Sequence, residues 1–386
     1  MIIQPANRLS DVQEYYFSKK LKEIRELNAS GKNIINLGIG SPDLAPSNET
    51  IEALVKTAEQ TNAHGYQSYI GIPEFREAIS SWMAFTYGVG FRAENEILPL
   101  MGSKEGIMHI SMAFLNPGDK VLVPNPGYPT YTSVSNLLNA EIEFYDLDEK
   151  KNWNIDVNNL RKKDLSNVKL LWLNYPHMPT GARADLEVLN DLIALAKEKK
   201  FLIVNDNPYS LILNPTPRSI FNLEGAKEVC LELNSLSKSH NMAGWRIGWL
   251  SGSSEYISTV LRVKSNMDSG MFLGLQKAAV QALSNPMHWH EDQNNIYAKR
   301  RKLIEEIFDY LEVKYNPNSV GMFVWAKVPD SVDNVEKFVD DILYKADVFI
   351  TPGFIFGSNG ERYIRASLCA SQETIKEALS RIKANV

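Results

Sequence analysis

Leu231-Glu-Leu-Asn-Ser-Leu-Ser-Lys-Ser-His-Asn-Met-Ala-Gly-Trp-Arg-Ile-Gly-Trp-Leu250 reads as two strands joined by a polar elbow. The run from Val229 to Leu233 predicts the first strand, and a second apolar run begins at Trp245 with Gly244 and Gly248 as its joints. One lysine, Lys238, sits among serines in the elbow. Its amine is a candidate nucleophile, while Ser235, Ser237 and Arg246 suit a phosphate, the arginine as a planar fork. Taken alone, a Ser-x-Ser-Lys run is more often a solvated loop. The rest of the chain decides between the two.

Three short apolar runs lie upstream, Lys120–Asn125, Lys169–Asn174 and Phe201–Asp206, each followed by a polar cluster. Helical stretches such as Leu186 to Lys199 separate them. Strands of continuous apolar character alternating with helices predict a parallel sheet covered on both faces. Ligands of such sheets bind at the carboxyl ends of the strands, where the polar clusters fall. Downstream, helical patterns at 275–283 and 290–310, an apolar run Val320–Trp325, an amphipathic stretch Val335–Tyr344 and a strand near Val348 predict a smaller α+β unit. At the other end, Val12, Tyr15, Tyr16, Leu21, Ile24 and Leu27 fit an amphipathic helix over 11–28.

Composition bounds the function classes. The 386 residues are 44% apolar and 23% charged, as in an ordinary globular protein, and a net charge of −5 gives no electrostatic case for nucleic acid or an anionic membrane. Two cysteines are too few for a disulfide framework. No signal or membrane-spanning pattern is legible, so a cytoplasmic location is expected. His288-Trp-His290 lacks the companions of a metal site and is expected at the surface, so no metal is expected.

The Ser-x-Ser-Lys followed by Gly244-Trp-Arg-Ile-Gly248 resembles the pyridoxal-phosphate lysine segment of the class I/II aminotransferases, the aspartate aminotransferase-like group of fold type I, and the likeness covers nearly the whole chain. It implies an α/β fold: a large domain over 46–284 with a mixed, mostly parallel sheet covered by helices, and a smaller α+β domain from both termini, 1–45 and 285–386. It also implies pyridoxal 5'-phosphate as cofactor, with Lys238 as Schiff-base lysine.

Other motifs extend the resemblance residue by residue. Leu37-Gly-Ile-Gly-Ser-Pro-Asp43 implies that Gly40 offers its backbone to the substrate carboxylate. In Tyr66-Gln-Ser-Tyr-Ile-Gly-Ile-Pro-Glu-Phe-Arg76, Tyr66 is implied to reach the cofactor phosphate of a neighbouring subunit, hence a homodimer with shared active sites. Gly102-Ser-Lys-Glu-Gly106 opens a helix, either with Ser103 as a plain N-cap or, as the resemblance implies, with Ser103 and Lys104 at the phosphate. Tyr128, held between Gly127 and Pro129, is implied to stack on the pyridine ring. Asp206 and Tyr209 are implied to meet the ring nitrogen, making the ring an electron sink, and the ring oxygen. In Tyr363-Ile-Arg-Ala-Ser367, Arg365 is implied to clamp the α-carboxylate, with Arg362 solvated.

Asn174-Tyr-Pro-His-Met-Pro-Thr-Gly-Ala182 departs from the family's pattern of asparagines at 177 and 178. Asn174 and Met178 still belong to the implied cofactor-binding set, but a thioether offers no N–H, which leaves the ring oxygen with Tyr209 alone. The expected activity is that of an aminotransferase moving the amino group of an L-amino acid to a 2-oxo acid, 2-oxoglutarate first among them, by a ping-pong route. The alternative is a carbon–sulfur lyase or related elimination enzyme of the same fold. A transcription regulator would need an N-terminal DNA-binding domain, for which the chain leaves no room before its catalytic pattern.

Overall fold

The computed structural model describes residues 2–9 and 16–386. Val12 and Tyr15, counted above in the N-terminal helix, lie outside the described residues; the helix is seen as Tyr16–Ala29. The strands in chain order are β1 (Ile35–Asn36), β2 (Ile97–Leu100), β3 (Lys120–Asn125), β4 (Glu141–Asp146), β5 (Val168–Leu173), β6 (Leu202–Asp206) and β7 (Cys230–Ser235). After them come β8 (Gly248–Gly252), β9 (Lys314–Tyr315), β10 (Phe323–Lys327), β11 (Val348–Phe349), β12 (Thr351–Pro352) and β13 (Tyr363–Ser367).

A seven-stranded sheet runs in the order β2-β8-β7-β6-β5-β3-β4. All of it is parallel except β8, which runs antiparallel to both β7 and β2. The elbow at 236–247 is what reverses β8, setting Gly248 opposite Ser235. Strand order changes direction between β5 and β3, so their carboxyl ends flank the crevice where such sheets bind ligands.

The continuous apolar runs are buried from both sides. In β5, Leu171 and Leu173 pack with Leu192 and Leu195 of the helix Leu186–Lys199. Their neighbours Leu170 and Trp172 pack on the other face with Ile107 and Ile110 of the helix Ser103–Phe114 and with Ile257 and Val260 of the helix Ser254–Lys264. Alternation along the strand thus feeds two cores, each fully buried Leu worth about 1.5–3 kcal/mol. A smaller antiparallel sheet, β12-β13-β10-β9, carries Arg365 on β13. Parallel pairing of β1 with β11 brings the Gly38–Gly40 turn beside it.

Three local expectations are corrected. Ser103 is not the N-cap: Gly102 holds that position and Ser103 is the first helical residue. Arg362 is not free in solvent, since it donates to the Val332 and Pro329 carbonyls and pins that loop. His290 is not at the surface; it is buried edge-on against His240, with ring centroids 4.9 Å apart, inside the helix Met287–Tyr310.

Candidate active site

A cavity of about 580 Å³ opens at the carboxyl ends of the parallel strands and is closed on the far side by β10, β13 and the turn Gly353–Phe356. Its walls contain Gly40, Ser103, Lys104, Tyr128, Asn174, Met178, Asp206, Tyr209, Ser235, Ser237, Lys238, Arg246 and Arg365. Every site residue expected from the sequence lies here except Tyr66, which stands 94% exposed on the surface.

Ser235 ends β7 and caps the short helix Leu236–Ser239, accepting the Ser237 amide at 3.0 Å. That turn presents Lys238, whose Nζ donates to the Gly40 carbonyl. Burial lowers the lysine's pKa, with Arg365 and Arg246 pushing the same way and Asp206 opposing them. An amine kept closer to neutrality is a better nucleophile and base.

Asp206, at the end of β6, is buried, and burial pushes its pKa up to about 7. Its Oδ2 accepts the Tyr131 hydroxyl at 2.9 Å, while Oδ1 has no partner. Tyr131 is itself stacked on Trp172, with ring centroids 4.9 Å apart and planes within 5°. A buried carboxylate oxygen without a donor, on a cavity wall, fits a ligand that brings a proton to it.

Another wall gathers cations and hydroxyls. Gly102 has φ +90°, and a Cβ there would fall 2.2 Å from Arg246 Nη2, so the guanidinium lies directly on the glycine. Arg246 Nη1 also donates to the Ala243 carbonyl at 2.9 Å. Ser103, Lys104, Ser235, Ser237 and Arg246 all line the cavity with the start of the helix Ser103–Phe114, a donor set suited to a phosphate dianion.

Arg365 lies between Phe323 and Phe356, its guanidinium carbon 4.0 and 4.6 Å from the ring centroids. Nη2 donates to the Gly38 carbonyl at 2.7 Å, Nη1 lies 3.3 Å from Met178 Sδ, and Nε has no partner. Burial lowers its pKa to about 10, so it stays charged at neutral pH and lacks a strong acceptor. Gly40 has no room for a side chain, since a Cβ would sit 2.2 Å from Phe323 Cζ.

Asn174 spends its amide on the chain: Nδ2 donates to the Asp206 carbonyl at 2.6 Å and Oδ1 accepts the Met178 amide at 2.8 Å. It therefore fixes both the acid and the thioether. His177 is buried off the cavity against Thr180, and burial pushes its pKa down to about 3. Sequence reasoning missed Tyr131, Phe17, Ser18, Phe323, Ile355 and Phe356. Tyr131 lies three residues after Tyr128 in Gly127-Tyr-Pro-Thr-Tyr131, so a signal existed there; the others come from distant segments.

A family model described as aminotransferase class I and II matches residues 32–382. The LL-diaminopimelate aminotransferase of Nitratidesulfovibrio vulgaris is 36% identical over 380 residues, covering 98% of each chain. That of Moorella thermoacetica is 37% identical over 383 residues, 99% of this chain and 98% of the other. Among solved structures, substrate-bound BacF from Bacillus subtilis superposes with a TM-score of 0.94 at 35% identity, covering 100% of this chain and 98% of that one. A Thermus thermophilus aspartate aminotransferase mutant gives 0.92 at 26% identity, covering 99% of each.

Proposed function

The chain belongs to the class I and II aminotransferases and uses pyridoxal 5'-phosphate, and from that premise we propose how its own residues carry the reaction. The observation that supports this reading best is the grouping, in one cavity, of a buried lysine, a carboxylate with a vacant oxygen, a cationic hydroxyl-rich wall and an unsatisfied arginine. The elimination alternative is not favoured, because the relatives matched over their full length are aminotransferases.

Pyridoxal phosphate, when bound, supplies an electron-withdrawing ring that stabilises negative charge at the substrate Cα. Ser103, Lys104, Ser235, Ser237 and Arg246 would hold its phosphate, and Tyr66 of a second copy would complete that set in a homodimer. Tyr128 would stack on its ring, Asp206 Oδ1 would meet the ring nitrogen and Tyr209 the ring oxygen. Lys238 Nζ provides the covalent anchor and afterwards takes and returns the Cα proton, for which a lowered pKa suits it. Arg365, whose Nε has no partner, would pair its guanidinium with the α-carboxylate, aided by the Gly40 backbone.

The donor is an L-amino acid and the acceptor is read as 2-oxoglutarate. The curated relatives are named for LL-diaminopimelate, which makes that compound the first donor to present. Phe17, Ile355 and Tyr128 on the cavity wall favour a second donor class, amino acids with large apolar side chains. The same reading divides the chain at 46–284 and places the enzyme in the cytoplasm. The test is a half-reaction: holoenzyme is mixed with each donor while the absorbance near about 420 nm is followed. Loss of the band on donor addition and its return with 2-oxoglutarate supports the reading. A band that recovers unaided while ammonia accumulates refutes it.

A further inference from the structure

Behind the start of the helix Ser103–Phe114 lies a charged cluster that the proposed chemistry does not use. Glu105 Oε2 accepts the Met101 amide at 2.6 Å, and Oε1 stands 3.2 Å from His109 Nε2. Lys264 Nζ lies 2.7 Å from Asp268 Oδ1, which also accepts the Gly270 amide at 2.8 Å. Single atoms of Glu105, His109 and Asp268 come within 4.8 Å of one another. The side chains of His109, Lys264 and Asp268 are 2%, 3% and 5% exposed, yet both His109 ring nitrogens and Asp268 Oδ2 lack hydrogen-bond partners. The Lys264 ammonium already serves as the cluster's cation, so the three ligand atoms do not call for a metal ion.

The helix these groups sit behind is capped in an unusual way. Its N-cap is Gly102, at φ +90°, with no side-chain cap. A serine or aspartate cap would claim the amides of the first turn. With glycine those amides stay open for a ligand, but nothing on the cap itself fixes the turn. Glu105 supplies the missing restraint from behind, through Met101.

We propose that Glu105 is the positioning residue of the phosphate loop, with His109 and the buried Lys264–Asp268 pair packed close behind it. The inference rests on the reading of Ser103 and Lys104 as phosphate-contacting residues. It also ties the loop to the surface that carries Tyr66, because Gly270 packs on the Gln67 and Ser68 carbonyls with no room for a Cβ, 2.5 and 2.6 Å away.

The test compares pyridoxal phosphate with pyridoxal, which differ only in the phosphate, by titrating the cofactor-stripped full-length chain. Glu105→Ala and the near-isosteric Asp268→Asn are each expected to weaken pyridoxal phosphate about tenfold while pyridoxal stays within about twofold. Equal weakening of both ligands, the mark of general structural damage, overturns the proposal, as does unchanged pyridoxal phosphate affinity. Ser103→Ala runs alongside. If it leaves the preference for the phosphorylated form intact, the phosphate-loop reading fails and this inference with it. If it removes that preference while Glu105→Ala and Asp268→Asn retain it, only the inference fails.

Discussion

The Tyr131 hydroxyl donates to Asp206 Oδ2 across 2.9 Å and leaves Oδ1 without a partner. Burial raises the carboxyl pKa from its usual 3.8 to about 7, against the pull of the Tyr131 hydrogen bond and Lys238. In cofactor-free protein the fold therefore favours the protonated acid. Its stabilising contribution is full below pH about 4 and is lost as pH rises to about 7. Melting temperature of the cofactor-free enzyme should fall across that window. Asp206→Asn should flatten the fall, and Tyr131→Phe should move it to higher pH. A pH dependence identical in wild type and Asp206→Asn would refute this account of the carboxylate.

Met178 places a thioether beside Arg365 where the family's pattern has an amide. One hydrogen bond to a charged oxygen is worth about 1.5–3 kcal/mol, or roughly one to two pH units in a coupled titration. Met178→Asn should lower by about that much the pKa read from the bound cofactor's absorbance. A titration curve superimposable on the wild type contradicts the assignment.

Gly102→Ala sets a Cβ against Arg246 at a backbone angle that L residues rarely adopt. The strain is about 1–3 kcal/mol, and Arg246 must move. Calorimetry should show a lower melting temperature, and titration should show pyridoxal phosphate weakened by about tenfold or more. Unchanged affinity would place Arg246 outside the phosphate set.

What the sequence made legible follows from where the constraints are local. The runs in β3, β5 and β6 were readable because burial on both faces leaves an uninterrupted apolar signature, and Lys238 because its elbow is bracketed by two such runs. The N-cap alternative for Ser103 failed by one position, since helix caps are set by backbone angles that Gly102 adopts without announcing them. Phe323 and Phe356 enclose Arg365 only after β10 and the turn Gly353–Phe356 fold onto the large sheet. His290 looked like a surface residue because its partner, His240, is 50 residues earlier in the numbering. The Glu105–Asp268 contact spans a still longer separation, beyond any local pattern.

The most direct measurement of the central claim is borohydride reduction of the holoenzyme followed by peptide mapping. The account predicts a single stable cofactor adduct, on the peptide containing Lys238, and none in Lys238→Ala. An adduct on another lysine, or the undiminished absorbance band in Lys238→Ala, would contradict the assignment on which the whole site is built.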